Sequence, residues 1–155
     1  MARIDDVSER FKTGLAIRRE VLGADYVDKS LNSASDFTWV GQTWVTEGCW
    51  GDLWSRPGLE RRDRSIINLS ILTALNRMHE FGVHVRAAIN NGLTPAEIQE
   101  ILLQTAVYCG VPAALESFRV AERVLTEMGL LPAPGASPAA DPAVPSGDEK
   151  PAAGE

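Results

Sequence analysis

The chain is poor in several residues from which many functions are built. In 155 residues there are two cysteines and two histidines, aromatics make up 6%, and 15 Lys and Arg face 21 Asp and Glu. Cys49 and Cys109 stand far apart, with no Cys-x-x-Cys and no Cys/His ligand spacing. Neither a disulfide framework nor a structural zinc is therefore expected, and both read as reduced, buried thiols. The formal charge of -6 has the wrong sign for a surface that tracks phosphates, and no Lys/Arg block interleaves with aromatics. Both facts argue against nucleic acid as a partner. Apolar runs are broken by Asn, Ser, Arg or His well short of the roughly 18 residues a membrane span requires. Met1-Ala2-Arg3-Ile4-Asp5-Asp6 leads into no apolar signal core, so no membrane association and a cytoplasmic location are expected.

What is present suffices for one core: 45% of the residues are hydrophobic and 23% charged. Residues 131–155 are rich in Pro and Ala without a periodic apolar face, and such a segment cannot bury enough surface to offset its ordering entropy. They are expected to form a disordered tail behind a folded domain of residues 4–130. Within that domain apolar residues recur at helical spacing and no run alternates with period two, which predicts an all-α fold of six helices. Four helices are expected over residues 6–22, 36–50, 61–77 and 80–90. The first carries Val7, Phe11, Leu15 and Leu22 on one stripe, and the second Phe37, Val40, Trp44, Val45 and Gly48 on one side. A fifth opens at Thr94-Pro95-Ala96-Glu97, with an N-cap hydroxyl, a proline at the first position and a glutamate to close a capping box, and runs to Gly110. The sixth starts at Pro112 and is ended by Gly129.

The two histidines, His79 and His84, lie beside Glu80 near the junction of the third and fourth helices. Glu80 and His84 are four residues apart, so on a helix they share a face, and a carboxylate there can hold an imidazole in one tautomer. Such a pair suits general acid/base work near neutral pH, or serves only as an exposed helix pair. A metal would need a third ligand, and His79, five residues from His84, is turned off the shared face; no metal is expected. Arg56, Arg61, Arg62, Arg64, Arg77 and Arg86 crowd the same part of the chain, and one or two could clamp a substrate carboxylate with their paired donors. Trp39, Trp44, Trp50 and Trp54 form a tryptophan-rich stretch read as core or subunit interface before substrate wall.

Four stretches carry a wider likeness. They are Trp50-Gly51-Asp52-Leu53-Trp54-Ser55-Arg56-Pro57-Gly58-Leu59, Arg64-Ser65, the run from Glu80 through His84-Val85-Arg86-Ala87-Ala88-Ile89-Asn90-Asn91-Gly92, and Tyr108-Cys109-Gly110-Val111-Pro112-Ala113-Ala114. Together they resemble the 4-carboxymuconolactone decarboxylase family, over most of residues 5 to 128. The His-x-Arg-Ala-Ala and Tyr-x-Gly-x-Pro-Ala-Ala runs are shared with the wider alkylhydroperoxidase-like superfamily. Its peroxidase members carry Cys-x-x-Cys-x-x-x-His; here Arg77 and Glu80 occupy the two thiol positions and Ser65 replaces a helix glutamate. Without adjacent thiols there is no disulfide to cycle, so thiol peroxidase chemistry is not expected.

The resemblance implies decarboxylation of 4-carboxymuconolactone to 3-oxoadipate enol-lactone and CO2, a step in protocatechuate degradation, with no cofactor. It implies His84 as proton donor held by Glu80, Arg77, Arg56 or Arg64 on substrate carboxylates with Trp50 beside them, and a homo-oligomer, trimer or hexamer. Met78-His79 and Gly82 depart from the family pattern. The alternative is therefore a lyase, isomerase or cyclase of the same fold acting on another enolisable carboxylic acid, and a non-catalytic oligomeric scaffold is a third reading.

Overall fold

The structure is a computed structural model and describes residues 7–133. Most of the expected tail lies outside the described residues. Within them every regular element is helical: α1 (Glu9–Leu22), α2 (Ala24–Asn32), α3 (Asp36–Trp44), α4 (Arg61–Ala74), α5 (Met78–Asn90), α6 (Pro95–Cys109) and α7 (Val111–Glu127). Without a break, α3 continues into a π-helical segment, Val45–Leu53.

Local chemistry accounts for most of the boundaries. Ser8 and Ser35 accept hydrogen bonds from the backbone N–H groups of Phe11 and Thr38, capping α1 and α3. The capping box at α6 is complete, with Thr94 accepting from the Glu97 N–H and the Glu97 carboxylate accepting from the Thr94 N–H. Gly23 ends α1 with φ 90°, a backbone conformation that L side chains rarely adopt. The chain re-enters a helix at once, giving an additional element, α2, whose Val27 and Leu31 pack against Phe11 and Leu15 of α1. Between α4 and α5 the break falls earlier than the apolar pattern indicates, because Asn76 takes φ 53°. Asn tolerates that conformation better than most residues, so Met78 already belongs to α5.

Two packed units result. The helices α4 to α7 surround a core that includes Leu69, Phe81, Val85, Ile98, Leu102 and Val124, while α1 and α2 enclose a smaller one. A third cluster, Val21, Trp50, Trp54 and Ala87, bridges them, with Trp50 and Trp54 stacked at a centroid distance of 4.9 Å. Asn90 adds a tie by donating from Nδ2 to the Val21 carbonyl at 3.0 Å, and Asn91 donates to Ser65 Oγ at 2.9 Å. The helix α1 meets the π-helical segment backbone to backbone. A Cβ on Gly51 would stand 2.6 Å from the Arg10 carbonyl oxygen, and one on Gly14 would fall on the Thr46 carbonyl. Only glycine permits that approach.

Two expectations change. Cys49 is half-buried, but Cys109, the last residue of α6, is exposed; both are free. The expected apolar stripe on α3 exists but faces outward, with Phe37 91%, Val40 71% and Trp44 75% exposed in the single chain. Helical spacing marks a face for burial without saying against what.

Candidate active site

The orientation of α5 determines the site. Phe81, Val85 and Ala88 are fully buried in the bundle core, which fixes the rotation of the helix and leaves Glu80 and His84 on a different face. That face borders a cleft of about 290 Å³. Arg18 and Leu22 of α1, Tyr26 of α2, Val45 and Trp50 of the π-helical segment, and His79, Glu80, Val83 and His84 of α5 line it. Glu80, His84 and Trp50, named from sequence, therefore come together.

Burial pushes the His84 imidazole below its ordinary pKa of 6.5, and the Glu80 carboxylate opposes that shift by Coulombic attraction. A polar contact to the ring comes from another helix: Asn68 of α4 stands with its Nδ2 3.5 Å from His84 Nδ1. An amide nitrogen can only donate, so in this contact Nδ1 accepts and the proton of the neutral ring sits on Nε2. His84 is thus poised to be neutral in the empty cleft near pH 7 and to gain a proton when negative charge arrives.

The three arginines named from sequence lie elsewhere. Arg77 is the exposed N-cap residue of α5. Arg56 is exposed, and its carbonyl accepts from Arg64 Nη2 at 3.1 Å; Arg64 is half-buried. None of them is among the residues that line the cleft. The arginine found there is Arg18, only 6% exposed. Its Nη1 donates to Gln42 Oε1 at 2.8 Å and to Thr46 Oγ1 at 3.0 Å, and its Nε is buried without a partner. Burial lowers its pKa, and the titratable groups that act on it, Tyr26 and Cys49, include no carboxylate. A buried ion without a counter-charge is costly, by several kcal/mol in general, and Arg18 bears that cost in the single chain. The signal was in the sequence: Phe11, Leu15, Arg18 and Leu22 fall on one helical stripe, which makes Arg18 a cation in an apolar row.

His79 is exposed and borders both this cleft and an adjoining one of about 370 Å³ that includes Gly82, Arg86 and Arg123. Among the described residues no group of three or more His, Cys, Asp or Glu is placed to hold a metal ion. No helix among them is long and apolar enough to cross a membrane.

A titratable imidazole, a carboxylate that tunes it and a buried guanidinium around one small cleft are the features of an enzyme site for a small molecule. Residues 41–123 match the carboxymuconolactone decarboxylase family. The chain is 42% identical over 125 residues to the nitrosuccinic acid decarboxylase of Metarhizium robertsii, covering 80% of this chain and 87% of that protein. It is 40% identical over 124 residues to the 4-carboxymuconolactone decarboxylase of Acinetobacter baylyi, covering 80% and 92%. The chain belongs to the carboxymuconolactone decarboxylase family and is an enzyme of the carboxy-lyase class.

Proposed function

We propose that this enzyme decarboxylates 4-carboxymuconolactone to 3-oxoadipate enol-lactone and CO2, in the degradation of protocatechuate, without a bound cofactor. The observation that carries the reading is the meeting of His84, Glu80 and Trp50 in one cleft with a buried cation. It is supported by the 40% identity to a 4-carboxymuconolactone decarboxylase over 92% of that relative. In this substrate the departing carboxylate sits gamma to the lactone carbonyl through a carbon-carbon double bond. When the C–CO2 bond breaks, its electron pair delocalises onto the carbonyl oxygen as a dienolate, so the substrate carries its own electron sink. The carbon alpha to the carbonyl then takes a proton, and the pair returns to carbon.

The chain has two tasks in this reaction. Trp50, Val45 and Val83 make part of the wall apolar, which strips water from a carboxylate that must lose its charge. His84 supplies the proton. The imidazole, neutral in the empty cleft, becomes more basic when an anionic substrate enters, and the imidazolium so formed is the donor. Glu80 favours the same charged form.

A second substrate has a specific observation behind it, the 42% identity to a nitrosuccinic acid decarboxylase. There the pair left by CO2 can be held by the adjacent nitro group as a nitronate, so the same apolar wall and proton donor would serve. The deciding experiment supplies the purified protein with freshly generated 4-carboxymuconolactone and, separately, nitrosuccinate, and follows CO2 release. Turnover of the lactone at a much higher kcat/KM carries the first reading, preference for nitrosuccinate the second, and no CO2 from either removes both.

The assembly we infer is a homo-oligomer, a trimer or hexamer, working in the cytoplasm. Its support is the set of apolar side chains left open on the single chain. These include Phe37, Val40 and Trp44 on α3 and Val107 and Tyr108 on α6, the last two 80% and 78% exposed. Large apolar side chains left open in this number mark contact surfaces between proteins.

A further inference from the structure

Among the described arginines that lack a carboxylate partner, Arg18 is set apart by its burial, at 6% exposed. Arg10, Arg19, Arg61, Arg62, Arg86 and Arg119 each pair with a carboxylate near the surface. Arg18 sits next to Arg19 in sequence yet is buried, and among the described residues its hydrogen-bond acceptors are the neutral side chains of Gln42 and Thr46. The fork holds one nitrogen in place and leaves Nε unpartnered. Glu80 borders the same cleft without forming an ion pair with it. A Met or Leu would fill this position in α1 without the cost of burying a charge, so packing does not account for the guanidinium.

A decarboxylase has two ways to use such a cation, and energetics separates them. The carboxylate that leaves is charged in the ground state and loses its charge as CO2 forms. A tight ion pair to it stabilises the substrate more than the transition state and slows the reaction. A carboxylate that stays on the product keeps its charge throughout, and gripping it positions the substrate without that penalty.

We propose that Arg18 is the anchor for the carboxylate that remains on the product, and that the substrates of this cleft are therefore acids with a second carboxylate besides the one that leaves. The inference rests on the decarboxylase reading above. The retained carboxylate supplies the counter-charge that the protein leaves missing around Arg18. The departing one is then held among the apolar side chains of Trp50, Val45 and Val83, within the cleft that His84 also lines. The requirement for a second carboxylate is built into α1.

The test uses unreactive probes, so that binding and turnover are read separately. Butyrate carries one carboxylate, and butyramide is its neutral isostere; their binding to the full chain is followed by Trp fluorescence and calorimetry. The wild type is expected to bind butyrate about 30-fold more tightly than butyramide, the scale of a charge-assisted paired hydrogen bond. Arg18→Gln and the apolar Arg18→Met, each checked for fold by circular dichroism, should bring the two probes to within about threefold, with Arg18→Lys between. With the decarboxylated substrate, the loss in the Gln variant should appear in KM rather than in kcat. Equal binding of the two probes by the wild type, or a preference that survives in a folded Arg18→Met protein, overturns the anchor. An Arg18-dependent preference in a protein that releases no CO2 from either candidate acid keeps the anchor and overturns the decarboxylase reading. Turnover that does not depend on Arg18 does the reverse.

Discussion

Replacing His84 by Gln separates chemistry from folding. The side chain is outside the three buried clusters, Gln is at least as good a helix former, and its amide can still meet Asn68. Loss of stability near neutral pH should stay below about 1 kcal/mol. Removing a positioned proton donor costs about 10²- to 10⁴-fold in rate, so kcat/KM should fall at least about a hundredfold, or about 2.7 kcal/mol of transition-state stabilisation. The pH dependence gives a second, independent signature. The pKa of His84 in the free enzyme is lowered below 6.5 by burial, so the imidazolium is populated only on the acid side. The kcat/KM profile of the wild type should therefore fall as pH rises through a midpoint below 6.5, and that limb should vanish in the Gln variant. Stability runs the other way. Because the folded pKa is depressed, the contribution of a neutral His84 is fully present above pH 6.5 and is lost as pH falls through the folded value. Wild type and variant should thus differ in the slope of stability between those two points. The assay is CO2 release across pH 5 to 8, with urea unfolding at the same pH values. A variant with near-normal turnover, or one that keeps the acid limb, would remove His84 from the mechanism.

Glu80→Gln takes away the charge that raises the basicity of His84, so the limb in kcat/KM should move to lower pH and activity at pH 7 should drop; an upward shift would contradict the Coulombic assignment. Gly14→Ala forces a methyl group onto the Thr46 carbonyl and should destabilise the fold by about 3 kcal/mol in urea unfolding, where a change under about 1 kcal/mol would mean the helices can part at little cost. Thr94→Ala removes the side-chain cap of α6 and should cost about 1 kcal/mol, visible as a lower thermal midpoint. Sedimentation at micromolar concentration should show no appreciable monomer, and Val40→Glu on the open face of α3 should shift the protein to smaller species; a wild type that runs as a clean monomer refutes the assembly.

Sequence and structure agree where the signal is local. The capping box at Thr94, the stop at Gly23 and the one-turn spacing of Glu80 and His84 depend on neighbours within four residues, and each is found as expected. The π-helical segment was not legible, since Val45 to Leu53 has a composition that serves an α-helix equally well and its wider winding is seen only against α1. Arg18 is legible in principle, as a charge on an apolar stripe, whereas Arg56, Arg64 and Arg77 are marked by their crowding alone, which carries no information about the cleft of the single chain. Asn68 could not be found, because its place beside His84 depends on how α4 and α5 pack, sixteen residues apart in sequence.

The glycine contact between α1 and the π-helical segment divides the cleft into a side that cannot drift and a side that can. Arg18 and Trp50 are carried by two backbones locked together at Gly14 and Gly51, so a change there disturbs the framework itself. Across the opening, His79 and Val83 are side chains on the outer face of a helix whose hold on the core comes from other residues. Substitution of either leaves the anion seat in register, while Gly82 between them borders the adjoining cleft and faces Val120 and Val124. Efforts to redirect this enzyme toward new acids should therefore vary positions 79 and 83 and leave the glycine-locked wall alone.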